Sequence, residues 1–217
     1  MRGSSGMDWQ AWHRDYDDPD SPVSRRLVEV RGRLAALLAE GTAPVRLLSL
    51  CSGDGRDTVP VLAAARRPVA AHLVELDPDL AEAARRAAAA ADVELEVRTG
   101  DAGAGATFAD LLPVDLLMLV GVLGNVSDAD AEQTIAATAS MLRSGGTVLW
   151  TRSNRVRAER THDQDDPAEW VRDRFEAHGL ETLDLRVPDL DPWRLGASRL
   201  REPSDAPVPE RLFSFVR

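Results

Sequence analysis

The sequence contains no lysine and only one cysteine, and each shortage excludes a kind of chemistry. All 26 basic residues among its 217 are arginines, which excludes Schiff-base catalysis and a lysine general base. The single cysteine, Cys51, excludes an internal disulfide framework and a cysteine-based zinc site. The four histidines form no pair with metal-ligand spacing and carboxylates nearby, and we therefore expect no metal.

Long apolar runs are missing as well. None approaches the roughly 20 residues that a membrane-spanning helix needs, and the start of the chain has no apolar signal region. We interpret residues 1–6 as an expression leader before a start at Met7, and we expect a cytoplasmic protein with no membrane partner. The net charge is −10, which argues against a nucleic-acid partner, because neutralising phosphates requires a concentrated basic face.

What the sequence does contain is a strand, turn and helix pattern within residues 45–67. The apolar run Leu47–Leu50 ends at Ser52-Gly53-Asp54-Gly55, where the glycines let a ligand approach the backbone. The next strand pattern ends at Glu75, about 20 residues after Gly55, where an acid meets the ribose hydroxyls of a nucleotide. With 44% hydrophobic residues the chain can bury one sizeable core. We expect one α/β domain.

These segments resemble motifs of class I S-adenosylmethionine (SAM) dependent methyltransferases. The glycine turn resembles their first motif, Val74–Pro78 the second and Thr99–Ala102 the third. Gly121–Asp128 is similar to the family's step after the fourth strand, and Ser144–Thr151 to its glycine turn and fifth strand. The motifs keep the family order over residues 44–217, and this order is far more specific than any single motif.

The sequence departs from the family pattern at a few positions. Ser49 lies where the family usually has an acid, and Cys51 lies where it often has a glycine. Gly124 and Asn125 occupy the positions of a histidine pair. We therefore expect an altered hold on the methionine end of SAM and no histidine base in this loop.

The resemblance implies a Rossmann-like, seven-stranded, mostly parallel sheet with helices on both faces. We predict the sixth strand at Leu180–Val187 and the antiparallel seventh at Arg211–Val216. The family pattern places Glu75 on the ribose hydroxyls and Asp101 on the adenine amino group. The residues implied around the cofactor SAM are Tyr16, Cys51, Ser52, Gly53, Gly55, Asp57, Glu75, Leu76, Asp101, Ala102, Gly121 and Val122. Cys51 is interpreted as a small buried residue rather than a nucleophile.

An N-terminal helical region, residues 7–43, precedes the SAM-binding domain of residues 44–217. Ser21 and Pro22 predict the start of a helix that runs to about Glu40. Trp9, Trp12, His13 and Tyr16 have the spacing of one helix face, which fits either a packing stripe or a lid over the active site. In the lid interpretation Tyr16 contacts the SAM carboxylate or the reactive methyl, and His13 is the candidate general base.

Acceptor binding is predicted from the lid, the loop after Trp150 and a long connection at Pro188–Pro209. The candidates for catalysis are His13, Tyr16 and Asn125, and those for the acceptor are Trp12, His13, Asn125, Arg152 and Trp193. Arg152, Arg155, Arg157 and Arg160 form either a solvated face or a clamp for an anionic group. Asp128 is predicted to cap the following helix.

The function that these patterns favour is SAM-dependent methyl transfer to a small molecule, such as one of specialised metabolism. Two alternatives keep SAM without methyl transfer: a cyclase that uses the bound sulfonium electrostatically, and a non-catalytic SAM-binding module. A NAD-dependent oxidoreductase fits less well, because the third fingerprint glycine is missing. The acceptor, the atom methylated and the choice between monomer and homodimer stay open.

Overall fold

A seven-stranded mixed sheet forms the centre of the part of the chain that the computed structural model describes, residues 14–153 and 166–216. The strands are β1 (Val45–Leu50), β2 (Val69–Glu75), β3 (Leu95–Thr99), β4 (Val114–Leu119), β5 (Leu142–Ser153), β6 (Leu180–Arg186) and β7 (Trp193–Leu200). Their order is β3-β2-β1-β4-β5-β7-β6. The pairs from β3 to β5 are parallel, and β7 is antiparallel to both neighbours. The predicted fold class is confirmed.

Helices pack on both faces of this sheet. They are α1 (Pro22–Ala39), α2 (Val59–Ala64), α3 (Pro78–Ala90), α4 (Asp128–Met141) and α5 (Pro167–Ala177), with a 3-10 turn at Arg14–Asp17. The Ser21 side chain accepts a hydrogen bond from the Ser24 N–H at the start of α1, as predicted. Within the described ranges no helix is long and apolar enough to cross a bilayer.

Alternating side chains of each central strand enter two separate cores, as strand geometry requires. Leu47 points to the core beneath α1, α2 and α3, whereas Leu48 points to the core beneath α4 and α5. Both are completely buried. The sheet is therefore covered on both sides, and a ligand meets it at the carboxyl ends of the strands rather than on a face.

The prediction for the last strand was wrong. We expected a seventh strand at Arg211–Val216, but that segment forms only isolated bridges, from Arg211 to Ala104 and from Phe215 to Val126. The seventh strand is instead Trp193–Leu200, inside the predicted acceptor loop. This strand lies between β5 and β6, so nearly every residue in it is buried whatever its polarity.

Capping of α4 also differs from the prediction. The Ser127 hydroxyl accepts the hydrogen bond from the Asp130 N–H, so Ser127 is the N-cap and Asp128 is the first helical residue. Asp128 instead accepts a hydrogen bond of 2.6 Å from the Arg152 guanidinium. A hydroxyl caps a helix as well as a carboxylate does, which leaves Asp128 to neutralise a buried cation.

Candidate active site

The turn after β1 exposes backbone at the carboxyl edge of the sheet. Cys51, Gly53 and Gly55 have φ angles of 59°, 57° and 72°, a region that favours glycine over other residues. A Cβ at Gly55 would lie 3.0 Å from a methyl group of Val59. Cys51 thus lies where the family that the sequence resembles often has glycine, and its backbone adopts the conformation that glycine favours.

Glu75 ends β2 and supports this turn. One carboxylate oxygen accepts a hydrogen bond of 2.7 Å from the Gly53 N–H, and the other accepts one of 2.9 Å from the Asp77 N–H. Burial raises the pKa of Glu75, and these backbone N–H groups act in the opposite direction. Each oxygen keeps a further acceptor position, so Glu75 can hold the turn and bind ligand hydroxyls together.

The loop after β3 places Asp101 and Ala102 beside Glu75. One oxygen of Asp101 accepts a hydrogen bond of 2.8 Å from the Gly103 N–H, and the other is 2.6 Å from the Arg211 guanidinium. Ala102 is 3% exposed and forms apolar floor. Such a site can bind a heterocycle that carries an amino group, because the acid accepts a hydrogen bond from the amino group and the apolar residue contacts the ring.

The loop after β4 contributes Gly121 and Asn125. The Gly121 N–H donates to the Thr151 hydroxyl at 2.8 Å, and the Asn125 side-chain amide donates to the Gly121 carbonyl at 2.6 Å. Both residues line the same cavity as Glu75. Val122 is completely buried and does not line it, so its side chain supports the loop from below.

Tyr16, α1 and the turn after β1 form another part of the cavity wall. Arg26 donates a hydrogen bond of 2.7 Å to the Tyr16 hydroxyl, and the Arg56 guanidinium lies 4.3 Å from the centre of the Tyr16 ring. Burial raises the pKa of Tyr16, and Arg26 acts in the opposite direction. The tyrosine is therefore a neutral phenol at physiological pH rather than a phenolate base.

Two further acidic groups near the turn stay protonated more readily than usual. Asp57 is 8% exposed and accepts a hydrogen bond of 2.9 Å from the Thr58 hydroxyl. Burial raises the pKa of Asp57, and Thr58 acts in the opposite direction. Burial, together with the charges of Glu75 and Asp101, raises the pKa of the Cys51 thiol. Cys51 is thus a poor nucleophile.

Most of these groups surround one cavity of about 310 Å³ at the carboxyl ends of the strands. Of the predicted cofactor residues only Gly55 and Val122 do not line it; Ser52 and Leu76 do. Phe215, Arg26 and other lining residues were not predicted. Arg26 lies one helical turn before Val30, which also lines the cavity, so the helical period of α1 was the available signal.

The predicted acceptor residues are divided. Asn125 lines the cavity, whereas Trp193 begins β7, is 7% exposed and packs in the core beneath α1, α2 and α3. Arg152 is 3% exposed, binds Asp128 and lies 4.7 Å above the Trp170 ring, so it is neither solvated nor part of the cavity lining. Burial lowers the pKa of Arg152, and Asp128 acts in the opposite direction. Trp12, His13, Arg155, Arg157 and Arg160 lie outside the described residues.

The charge of the cavity fits a ligand with net positive charge. Its lining holds more carboxylates than guanidiniums: Asp54, Asp57, Glu75, Asp77 and Asp101 against Arg26 and Arg56. SAM has one carboxylate against an ammonium and a sulfonium, and so has a net positive charge.

Ser52 is 6% exposed, lines the cavity, and its buried hydroxyl has no hydrogen-bond partner. A ligand polar group can satisfy that hydroxyl. Among the described residues no cluster of three or more His, Cys, Asp or Glu side chains could hold a metal ion.

The parallel strands and the cavity at their carboxyl ends define an α/β protein that binds its ligand at the edge of the sheet. Comparison with known families refines this class: residues 47–146 match a family model described as a methyltransferase domain. No curated protein sequence is significantly similar to the chain.

Solved structures share the fold at low sequence identity. An O-methyltransferase family protein from Burkholderia thailandensis is 17% identical with a TM-score of 0.59, and covers 87% of this chain and 62% of its own. An O-methyltransferase family 2 protein from Planctomyces limnophilus, solved with apigenin, is 20% identical with a TM-score of 0.61, over 82% and 59%. The [4+2]-cyclase SpnF is 17% identical with a TM-score of 0.57, over 78% and 81%. The chain therefore spans less than two thirds of both O-methyltransferases.

These comparisons support a class I SAM-dependent methyltransferase, and that family uses SAM as methyl donor.

Proposed function

We propose that the chain binds SAM in this cavity and transfers its methyl group to a small-molecule acceptor. The observation that supports this most directly is the convergence of Glu75, Asp101, Gly121 and the β1 turn on one cavity. These residues end four different strands or follow them directly, and they match the family motifs in order. A cytoplasmic location and the division into residues 7–43 and 44–217 belong to the same proposal.

In this proposal the adenosyl half of SAM lies against Glu75, Asp101 and Ala102. Glu75 accepts hydrogen bonds from the ribose hydroxyls, and Asp101 accepts one from the adenine amino group. Both groups already have their orientation set by backbone N–H donors. Such pre-orientation lowers the entropic cost of binding.

The methionine half lies between Asp57 and the wall formed by α1. The acid that the family usually has at the position of Ser49 in β1 is missing, and Asp57, in the turn after β1, is a buried carboxylate that lines the cavity. We assign Asp57 to the methionine ammonium and Arg26, with Tyr16, to the methionine carboxylate. Residues 7–43 would then act as a lid that completes this end of the site.

When bound, SAM supplies a methyl carbon that bonds to the acceptor atom as the carbon–sulfur bond breaks, leaving S-adenosylhomocysteine and a released acceptor proton. The protein aligns the acceptor and excludes water. No histidine is among the described residues that line the cavity. An acceptor that is nucleophilic without deprotonation therefore suits the described wall, and His13 is the candidate base for one that is not. Asn125 and Tyr16 are the candidates for contact with the acceptor.

The proposal is tested by incubating the purified chain with SAM and a panel of small acceptors. Mass spectrometry should detect S-adenosylhomocysteine together with a product that has gained one methyl group. The SpnF likeness motivates the alternative of a SAM-bound enzyme without methyl transfer. A product that forms while SAM remains intact would favour that alternative and contradict methyl transfer.

Changing Asp57 to asparagine should weaken SAM binding and stabilise the empty protein. Because the folded state raises the pKa of Asp57, its charged form opposes folding: stability falls as pH rises from the ordinary aspartate range through the raised folded pKa. Asparagine removes this penalty and should add about 0.5–2 kcal/mol at neutral pH. The gain should vanish at a pH below both pKa values. Loss of the charge partner should lower SAM affinity by about tenfold.

Thermal melting across pH and titration calorimetry with SAM measure the two effects. Exposed Asp189, changed to asparagine, is the matched control and should alter neither. A folded Asp57→Asn variant with native Tm and native affinity would contradict both the buried charge and its assignment to the ammonium.

A further inference from the structure

We propose that residues 208–216, called the strap below, complete the adenine end of the cofactor site and select a purine with an amino group at C6. This inference rests on the proposed function and names residues of the same site. The strap follows β7 along the chain and crosses the carboxyl ends of β3 and β4, where it joins two loops that no strand pairing connects.

The strap is bound closely to the loop after β3. The Leu212 N–H donates to the Gly103 carbonyl at 2.7 Å, and the Gly105 N–H donates to the Glu210 carbonyl at 3.0 Å. A Cβ at Gly105 would lie 2.5 Å from the Pro209 carbonyl oxygen, and one at Gly103 would overlap the Phe213 carbonyl. Both glycines therefore allow an approach that any side chain would prevent.

The other side of the strap is bound to α4 and to the loop after β4. The Ser214 N–H donates to the Asp130 carboxylate at 3.0 Å, and the Val216 N–H donates to the Asn125 carbonyl at 2.9 Å. Phe213 is 2% exposed and enters the core beneath α4. These contacts hold the strap between the Asp101 loop and the Asn125 loop.

This placement brings Phe215 to the cavity, together with Asp101, Ala102 and Asn125. The Phe215 ring centre lies 5.6 Å from that of the buried Phe213. An aromatic side chain and a carboxylate in the same cavity match a purine, which has apolar faces and a polar edge. The strap thus adds an aromatic side chain to the cavity, which none of the lining residues between 44 and 151 supplies.

Arg211 acts on the same end through Asp101. Its guanidinium is 2.6 Å from one carboxylate oxygen, while the Gly103 N–H binds the other. Two donors keep the carboxylate oriented as an acceptor. An amino group at C6 can donate to it, whereas a C6 carbonyl oxygen would meet a negative charge. Arg211 is therefore a positioning residue for the purine edge.

The test compares S-adenosylhomocysteine with S-inosylhomocysteine, in which a carbonyl replaces the amino group at C6 and N1 carries a proton, by titration calorimetry with the full chain. The native chain should bind the adenosyl compound at least about tenfold more tightly. Arg211→Met should reduce that ratio at least about threefold. Phe215→Ala should weaken both ligands at least about fivefold, and Phe215→Leu should restore most of the loss. Arg201→Met is the control, because Arg201 pairs with Glu181 on β6, away from the cavity.

Melting temperatures confirm that each variant is folded. A native ligand ratio in Arg211→Met, or equal weakening of both ligands, overturns the positioning role of Arg211. Native affinities in Phe215→Ala overturn the strap as part of the site, while binding by the native chain still upholds the proposed function. No binding of either ligand by the native chain would overturn the proposed function, and this proposal with it.

Discussion

Replacing Glu75 with alanine is expected to weaken SAM binding by at least about tenfold, and by about a hundredfold if both its roles are lost. Each charge-assisted hydrogen bond to a ribose hydroxyl contributes about 1.5–3 kcal/mol, and 1.4 kcal/mol corresponds to a factor of ten. The change also removes the acceptor for the Gly53 N–H, which is 2.7 Å from the carboxylate. The turn that we propose contacts the cofactor would therefore lose this hydrogen bond. Titration calorimetry with SAM and S-adenosylhomocysteine measures the loss.

Glu94, an exposed glutamate between α3 and β3, is the matched control, and its alanine variant should bind SAM as the native chain does. Glu75→Gln separates the two roles, since the amide oxygen still accepts one hydrogen bond but the charge is gone. We expect its affinity to lie between those of the native chain and Glu75→Ala. Unchanged affinity in a folded Glu75→Ala variant would defeat the assignment of Glu75 to the ribose.

Much of the cavity lining could be predicted because the residues proposed to bind the cofactor are local in sequence. Cys51, Gly53 and Glu75 each lie at or just after the end of a strand with a clear apolar pattern. Parallel strands bring such ends together at one edge of a sheet. A motif and the rule for strand ends therefore sufficed to place them without knowledge of tertiary packing.

The remaining walls depend on how distant segments dock. Phe215 reaches the cavity only because the strap packs against Gly103 and Gly105, and nothing in the local pattern indicates that contact. Arg26 has the same origin, since its position on α1 matters only once the helix lies beside the β1 turn. The sequence also offered no reason for Arg152 to be buried against Asp128.

The prediction misplaced the seventh strand because the true strand is buried although it contains polar residues. Within Trp193–Leu200, Arg194 and Ser198 are both buried. Arg194 is satisfied by Asp166 at 2.9 Å and by backbone carbonyls. The segment containing Phe213 and Phe215 has the more apolar alternation, which single-sequence reasoning takes for a strand. Propensity alone cannot reveal which segment fills the gap between β5 and β6.

Gly196→Ala is expected to destabilise the fold by about 3 kcal/mol, through overpacking at the centre of β7. Gly196 is paired with Trp150 across β5 and β7, and a Cβ there would lie under 3.0 Å from three carbon atoms of the indole ring. Trp150 is completely buried, donates to the Ser198 hydroxyl at 3.3 Å and stacks on Phe175 at 5.8 Å. Because these contacts fix the indole ring, the ring cannot move away from a new methyl group without losing them.

For a domain of this size, about 3 kcal/mol lowers the Tm by about 6–12 °C, which thermal melting and urea unfolding can measure. Gly32→Ala is the opposite control: Gly32 is exposed in α1 with nothing within 4 Å of an added Cβ, so alanine should stabilise by about 0.5–1 kcal/mol. Trp150→Leu combined with Gly196→Ala should cost less than the sum of the two single changes, since the smaller side chain leaves room for the new methyl group. A Gly196→Ala variant that melts within about 2 °C of the native chain would show that the Trp150 side chain moves aside at little cost. Strict additivity in the double variant would show that the lost stability does not come from the contact with Trp150.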